Sequence, residues 1–160
     1  MTLRSLALVC LLAVGVLLWV FNDDPEADVR SAHAALESLI DKDAPESAAA
    51  AAVLSLSLRD LFAAQVTVRG AAGGLAGVYT PEDLAGTIVR VRAAAQSVDV
   101  SFGELSISFP ESDAALTEFS AELFAEIRTA GQTRTESRRV SSRMHDVDGR
   151  WLFTELEFAE

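Results

Sequence analysis

From Ser97 to Phe158 the chain alternates apolar and polar residues almost without interruption, and a period of two sustained that long leaves room for little but a meander of antiparallel strands. Val98, Val100 and Phe102 fall on one face, with Ser97, Asp99 and Ser101 on the other. The alternation resumes at Leu105, Ile107 and Phe109, now on odd numbers. That switch requires one inserted residue, so a β-bulge is expected near Gly103-Glu104. Pro110 to Asp113 reads as a turn. A second strand from about Ala114 to Arg128 has a dry face (Ala115, Thr117, Phe119, Ala121, Leu123, Ala125, Ile127) and a wet one (Glu118, Ser120, Glu122, Glu126, Arg128), which Leu116 and Phe124 interrupt. Ala130-Gly131-Gln132 supplies the next turn, and a third strand runs from about Thr133 to Val147. A hairpin closing around Gly131 is expected to set Glu122 opposite Arg139 or Ser141, and Glu118 opposite Arg143 or His145. Such a solvated ladder contributes roughly 0.2–1 kcal/mol per pair. Asp148-Gly149 is a two-residue hairpin signal, because both positions need positive φ. The last strand, Arg150 to Phe158, carries Trp151 and Phe153 on one face and Leu152, Leu156 and Phe158 on the other, which suits a central strand or a dimer contact.

What precedes the sheet divides into an apolar leader and a set of amphipathic helices. Leu6 to Phe21 is uninterrupted by charge, with Arg4 before it and Asp23-Asp24 after it. Trp19 and Phe21 stand where a signal-peptidase site needs small residues, and Val9 precedes Cys10 where lipid attachment needs a small one. At about 1.5 Å per residue, such a run just crosses a ~30 Å hydrocarbon layer. Residues 1–21 are therefore expected to form an uncleaved single-pass anchor, in contact with lipid through residues 3–21, and residues 22–160 one domain. The basic residue on the amino-terminal side places that end in the cytoplasm. In a bacterium the domain then lies in the periplasm, tethered to the inner membrane.

Asp24-Pro25-Glu26 is a helix start, and Val29, His33, Leu36 and Ile40 follow at helical spacing to about Asp41. Pro45 is expected to open an alanine-rich second helix with Leu54, Leu58, Leu61 and Phe62 inward. Gln65 to Arg69 alternates as a short strand, Gly70 to Gly74 is a loose turn, and Leu75 to Tyr79 pairs back. Thr80-Pro81-Glu82-Asp83 approaches a capping box. The helix it starts carries Leu84, Ile88 and Val91 inward and Arg90 and Arg92 outward. It ends near Ala95.

The net charge of −11 argues against nucleic acid, whose affinity rests on neutralising phosphates. Cys10 is the sole cysteine and lies in the leader, so the domain has neither disulfide nor cysteine–zinc site. His33 and His145 are the only histidines and do not sit at metal-ligand spacing. Gly70-Ala-Ala-Gly-Gly lacks the lysine of a phosphate-binding loop, and no Gly-x-Ser-x-Gly elbow is present. Asp146 and Glu155, near strand ends, are further candidates to point inward.

The order helix, helix, short hairpin, capped helix and meander resembles the nuclear transport factor 2-like superfamily, with its SnoaL-like and cystatin-like cone folds. The resemblance covers about Ala27 to Phe158. It rests on Leu61-Phe62-Ala63-Ala64-Gln65-Val66-Thr67-Val68 entering the first strand and on Asp148-Gly149-Arg150-Trp151 opening the last. It implies an α+β domain: a curved antiparallel sheet against about three helices, preceded here by the membrane helix. Enzymes of the superfamily place an Asp/His or Asp/Tyr set inside the cone, whereas the matching positions here hold Val98, Val100, Thr117, Phe119 and Ser142. No catalytic set, metal or cofactor is therefore expected. His33, Asp60, Tyr79, Phe102, Thr117, Phe119 and Ser142 are the residues expected to line a pocket. The leading expectation is a tethered, non-catalytic domain that binds a protein partner or a small apolar ligand. The alternatives are a small-molecule isomerase or lyase of the SnoaL-like kind and an assembly subunit of an envelope complex. Homodimerisation through the sheet is expected on the same resemblance.

Overall fold

The computed structural model describes residues 24–70, 76–127 and 132–159. The expected anchor at 1–21 lies outside them, as do residues 71–74 of the glycine-rich turn and Ala130-Gly131 of the hairpin turn. Among the described residues, no helix is long and apolar enough to cross a membrane. The elements run α1 (Pro25–Ile40), α2 (Ala48–Arg59), β1 (Phe62–Arg69), β2 (Gly77–Tyr79), α3 (Pro81–Ala94), β3 (Ala95–Glu111), β4 (Ala114–Ile127), β5 (Gln132–Val147) and β6 (Arg150–Phe158). Six strands form one sheet in the order β2-β1-β6-β5-β4-β3. Beneath it lie the three helices expected of an α+β cone. The sheet is mixed rather than purely antiparallel, because β1 runs parallel to β6. Local alternation cannot reveal that pairing, which joins the two ends of the domain.

Capping chemistry sets the helix starts. The carboxylate of Asp24 accepts from the Ala27 amide, with Pro25 occupying the first turn. Thr80 Oγ1 accepts from the Asp83 amide and donates to the Asp83 carboxylate. Helix α2 starts later than expected. Ser47, not the region of Pro45, is the cap, accepting from Ala50 N. Strand β1 starts earlier, at Phe62, because its first residue pairs with Phe153.

The meander keeps its expected faces. The β3–β4 register slips between Gly103 and Ser106, with Glu104 at φ 55°, so the bulge is real. Asp148 and Gly149 turn with φ of 54° and 77°. Pro110 and Glu111 belong to β3, which leaves only Ser112-Asp113 as the turn. The ion-pair ladder is corrected: Glu122 faces Ser137 and Glu118 faces Ser141, while Arg139 and Arg143 face Ser120 and Leu116. The faces of β6 are also corrected. Its pairing shifts between Arg143 and Met144, so that Phe153 faces Met144 and Leu156 faces Ser142 on the same inner side. The mixed composition of β6 thus reflects a bulge at Thr154 as well as its central place between β1 and β5.

Two apolar clusters lie under the sheet. The larger gathers Val29, Leu36, Leu58, Phe62, Met144 and Phe153 among others, and the smaller holds Ala95, Val98, Val100 and Ala125. Two buried cations clamp the smaller cluster. Lys42 pairs its backbone with Val98 and donates from Nζ to the carbonyls of Arg92 (2.6 Å) and Ala95 (2.7 Å) at the end of α3. Arg92 donates to the carbonyls of Leu39 (2.7 Å) and Asp41 and pairs with Glu46. The sequence reading of α3 is therefore corrected at its last turn, where Arg92 points inward and Val91 is 54% exposed. Helical periodicity assigned the aliphatic residue to the core. Carbonyls left open where α1 ends outweigh it, because a buried guanidinium satisfies both at once.

Candidate functional site

The sheet closes over one buried imidazole. His33 lies on the apolar stripe of α1, two turns in from its cap, and is 2% exposed. Its Nδ1 is 2.9 Å from the Val29 carbonyl oxygen, which can only accept. In the neutral ring Nδ1 therefore carries the hydrogen and Nε2 holds a lone pair. Thr117 Oγ1 lies 3.1 Å from Nε2 and so donates to it. Ser142 Oγ, 2.7 Å away, in turn donates to Thr117 Oγ1. The result is a directed chain from Ser142 through Thr117 and His33 to Val29. Its members come from three elements: Ser142 from β5, Thr117 from β4, and His33 and Val29 from α1. Antiparallel pairing fixes the hydroxyls, because Thr117 and Ser142 are directly opposite each other and point inward.

Aromatic edges enclose the ring. Phe119 and Phe153 meet His33 at centroid distances of 5.1 and 4.9 Å in T-shaped arrangements, and Phe102 packs on Phe119 at 4.7 Å. Burial strips water from the imidazole and lowers its pKa below the usual 6.5. The bond to Val29 opposes that shift, and the charge of Arg30 adds to it. His33 is thus a neutral base at neutral pH.

Five of the seven residues expected to line a pocket (His33, Phe102, Thr117, Phe119 and Ser142) meet in this one cluster. The other two stand apart from it. Asp60 is the exposed cap at the end of α2, and Tyr79 is half-buried on the edge strand β2. Asp146 is exposed, and Glu155 faces outward, 3.0 Å from Arg69, so neither brings a carboxylate to the imidazole. Among the described residues no cluster of His, Cys, Asp and Glu could hold a metal ion.

Beyond Val140 and Phe119 the inner face changes character. Phe102, Ala121, Leu123, Arg138 and Phe158 are half-buried, between the buried cluster around His33 and the smaller one at Val98 and Ala125. Arg138 is not among the residues expected to line a pocket, although it shares its parity with Ser142. The outer face of the sheet carries a separate shallow groove of about 130 Å³, lined by Glu118, Arg139, Ser141, Glu157 and Ala159.

No family model matches the sequence, and no curated protein is similar to it at a significant level. Solved structures do match. A candidate scytalone dehydratase from Novosphingobium aromaticivorans superposes with a TM-score of 0.67 at 13% identity, over 84% of this chain and 82% of that one. The hexachlorocyclohexane dehydrochlorinase LinA-type3 from Novosphingobium barchaimii gives 0.65 at 16% identity, over 84% and 85%. A nuclear transport factor 2-like protein from Salmonella enterica serovar Typhimurium gives 0.65 at 15%, over 83% and 88%. At these identities the similarity is one of fold, and the chain shares the nuclear transport factor 2-like cone fold of these structures.

Proposed function

We propose that the domain is a small-molecule lyase or isomerase of the SnoaL-like kind, with His33 as its general base. The observation that carries this reading is the lone pair on Nε2. It belongs to a buried, neutral imidazole whose tautomer is fixed by Val29 and whose Nε2 meets the Thr117 hydroxyl, which in turn meets that of Ser142. A base of this kind is suited to removing a proton from carbon. Ser142 accepts the substrate proton as it passes its own to Thr117, and Thr117 passes its own to Nε2, leaving an imidazolium. The electron pair left on the substrate forms a new double bond. Either a leaving group departs with its electrons, or the proton returns at a second carbon to give an isomer. The names of the dehydratase and the dehydrochlorinase above both describe eliminations, which supports this class.

The test is product formation by the full chain from a panel of small cyclic alcohols, halides and enones, each with and without a carboxylate. His33→Gln is expected to lower kcat by about 10²–10⁴-fold. Turnover unaffected by that change, or none above the buffer rate, would overturn the assignment. A second reading, association with another protein, rests on Leu116 and Phe124, which are 36% and 45% exposed on the outer face of the sheet. Glu122→Arg, between them, should then shift the sedimentation coefficient of the assembly without changing the far-ultraviolet spectrum. An unchanged coefficient counts against it.

A further inference from the structure

We infer that the half-open part of the cone binds a carboxylate, held by Arg138, so that the substrate is a small cyclic or aromatic acid; this inference rests on the general-base reading of His33. Arg138 lies opposite Ala121 in the β4–β5 register, hence on the same side of the sheet as Phe119 and Val140. It is half-buried, yet no side chain or carbonyl among the described residues is within bonding distance of its guanidinium, whereas Arg30, Arg59, Arg69, Arg92 and Arg134 each have a carboxylate. Glu136 and Glu37 are already engaged. Glu136, two residues away on the same face, pairs with Arg134, and Glu37 accepts from the Phe102 amide.

A guanidinium drawn partly out of water without a partner is unfavourable, and the planar fork it offers matches a carboxylate bidentately. In a chain of net charge −11, long-range attraction for an anion is absent, so a localised cation is what remains to select one. The neighbours supply the rest of the ligand's chemistry. Ala121 opposite it, Phe102 one strand beyond, and Leu123 and Phe158 diagonal to it give this side of the sheet an apolar surface. Arg138 is four residues from Ser142, about 13 Å along the strand.

The experiment is equilibrium binding of benzoate and of its uncharged counterpart benzamide to the full chain, followed by aromatic proton shifts. Wild type is expected to prefer benzoate by about tenfold or more. Arg138→Gln should abolish the preference while leaving benzamide binding in place, and Arg138→Lys should restore part of it. His33→Gln should leave the preference intact. Equal binding of the two probes by wild type, or a benzoate preference that survives Arg138→Gln, would overturn the anchor. Turnover is read separately. Benzoate selectivity without any turnover rejects the lyase and keeps the anchor. Turnover of a carboxylate-bearing compound, undiminished in Arg138→Gln, rejects the anchor and keeps the lyase.

Discussion

Replacing Thr117 by valine removes one oxygen from the centre of the hydroxyl–imidazole chain and changes almost nothing in shape. Thr117 is 1% exposed, so water cannot enter as a substitute without opening the core. Two hydrogen bonds disappear, at 3.1 and 2.7 Å. Each contributes a net ~1 kcal/mol, and the Nε2 acceptor stranded without a donor costs a further ~1–3 kcal/mol. The added methyl recovers about 0.8 kcal/mol. A net loss of roughly 2–4 kcal/mol follows, read as a lower urea midpoint at unchanged m-value. For a domain of this size that corresponds to about 5–15 °C in Tm. Thr117→Ser keeps the oxygen and should lose about 1 kcal/mol or less. Ser142→Ala made in the Thr117→Val background should cost clearly less than Ser142→Ala alone, because its bonding partner is already gone. A Thr117→Val protein within about 0.5 kcal/mol of wild type would refute the directed chain. So would additive effects of the two substitutions.

Three further outcomes are expected. Because the His33 pKa is lowered in the folded state, the unfolded chain binds the extra proton first as pH falls below 6.5, so stability should decline from there down to the folded-state pKa and be flat above; His33→Gln should remove that slope in urea titrations at stepped pH. Arg92→Met strands the Glu46 carboxylate and the carbonyls of Leu39 and Asp41, and should cost about 3–5 kcal/mol in chemical denaturation; Glu46→Gln should cost less, since Glu46 is a quarter exposed. Gly70 sits at φ 64°, where a Cβ would collide with the Phe158 carbonyl, so Gly70→Ala should lower the stability measured in urea by more than the ~1–2 kcal/mol of left-handed backbone alone, whereas Gly149→Asn, at φ 77° with open space around it, should cost about 1 kcal/mol or less.

The parts of the fold legible in sequence are those written locally. The caps at Asp24 and Thr80, the bulge after Gly103 and the turn at Asp148-Gly149 each depend on residues within a few positions of one another. The parallel partnership of β1 with β6 joins residues about ninety apart and leaves no periodic trace. Lys42 and Arg92 were illegible for a different reason. A cation adjacent to apolar positions ordinarily lies on a wet face, and only the tertiary placement of the carbonyls at 39, 41, 92 and 95 makes the interior preferable. Neither signal can be extracted from hydrophobic spacing.

The error in the β4–β5 ladder shows why the candidate site was easier to read than the surface beside it. The observed pairing differs from the expected one by two residues or more, enough to move Glu122 from an arginine to Ser137 and dissolve the ion pairs. A slip by an even number leaves every side chain on its own face. Thr117, Phe119, Arg138 and Ser142 therefore point inward in the expected register and in the observed one, whereas which glutamate meets which arginine outside depends on how many residues the turn consumes. Only a slip by one would exchange the faces, and burying Glu118, Glu122 and Arg139 in place of Phe119, Leu123 and Val140 is far too unfavourable for that. The chemistry inside the cone is thus fixed by the parity of the strands, and the imidazole of His33 is positioned to meet it by the spacing of α1.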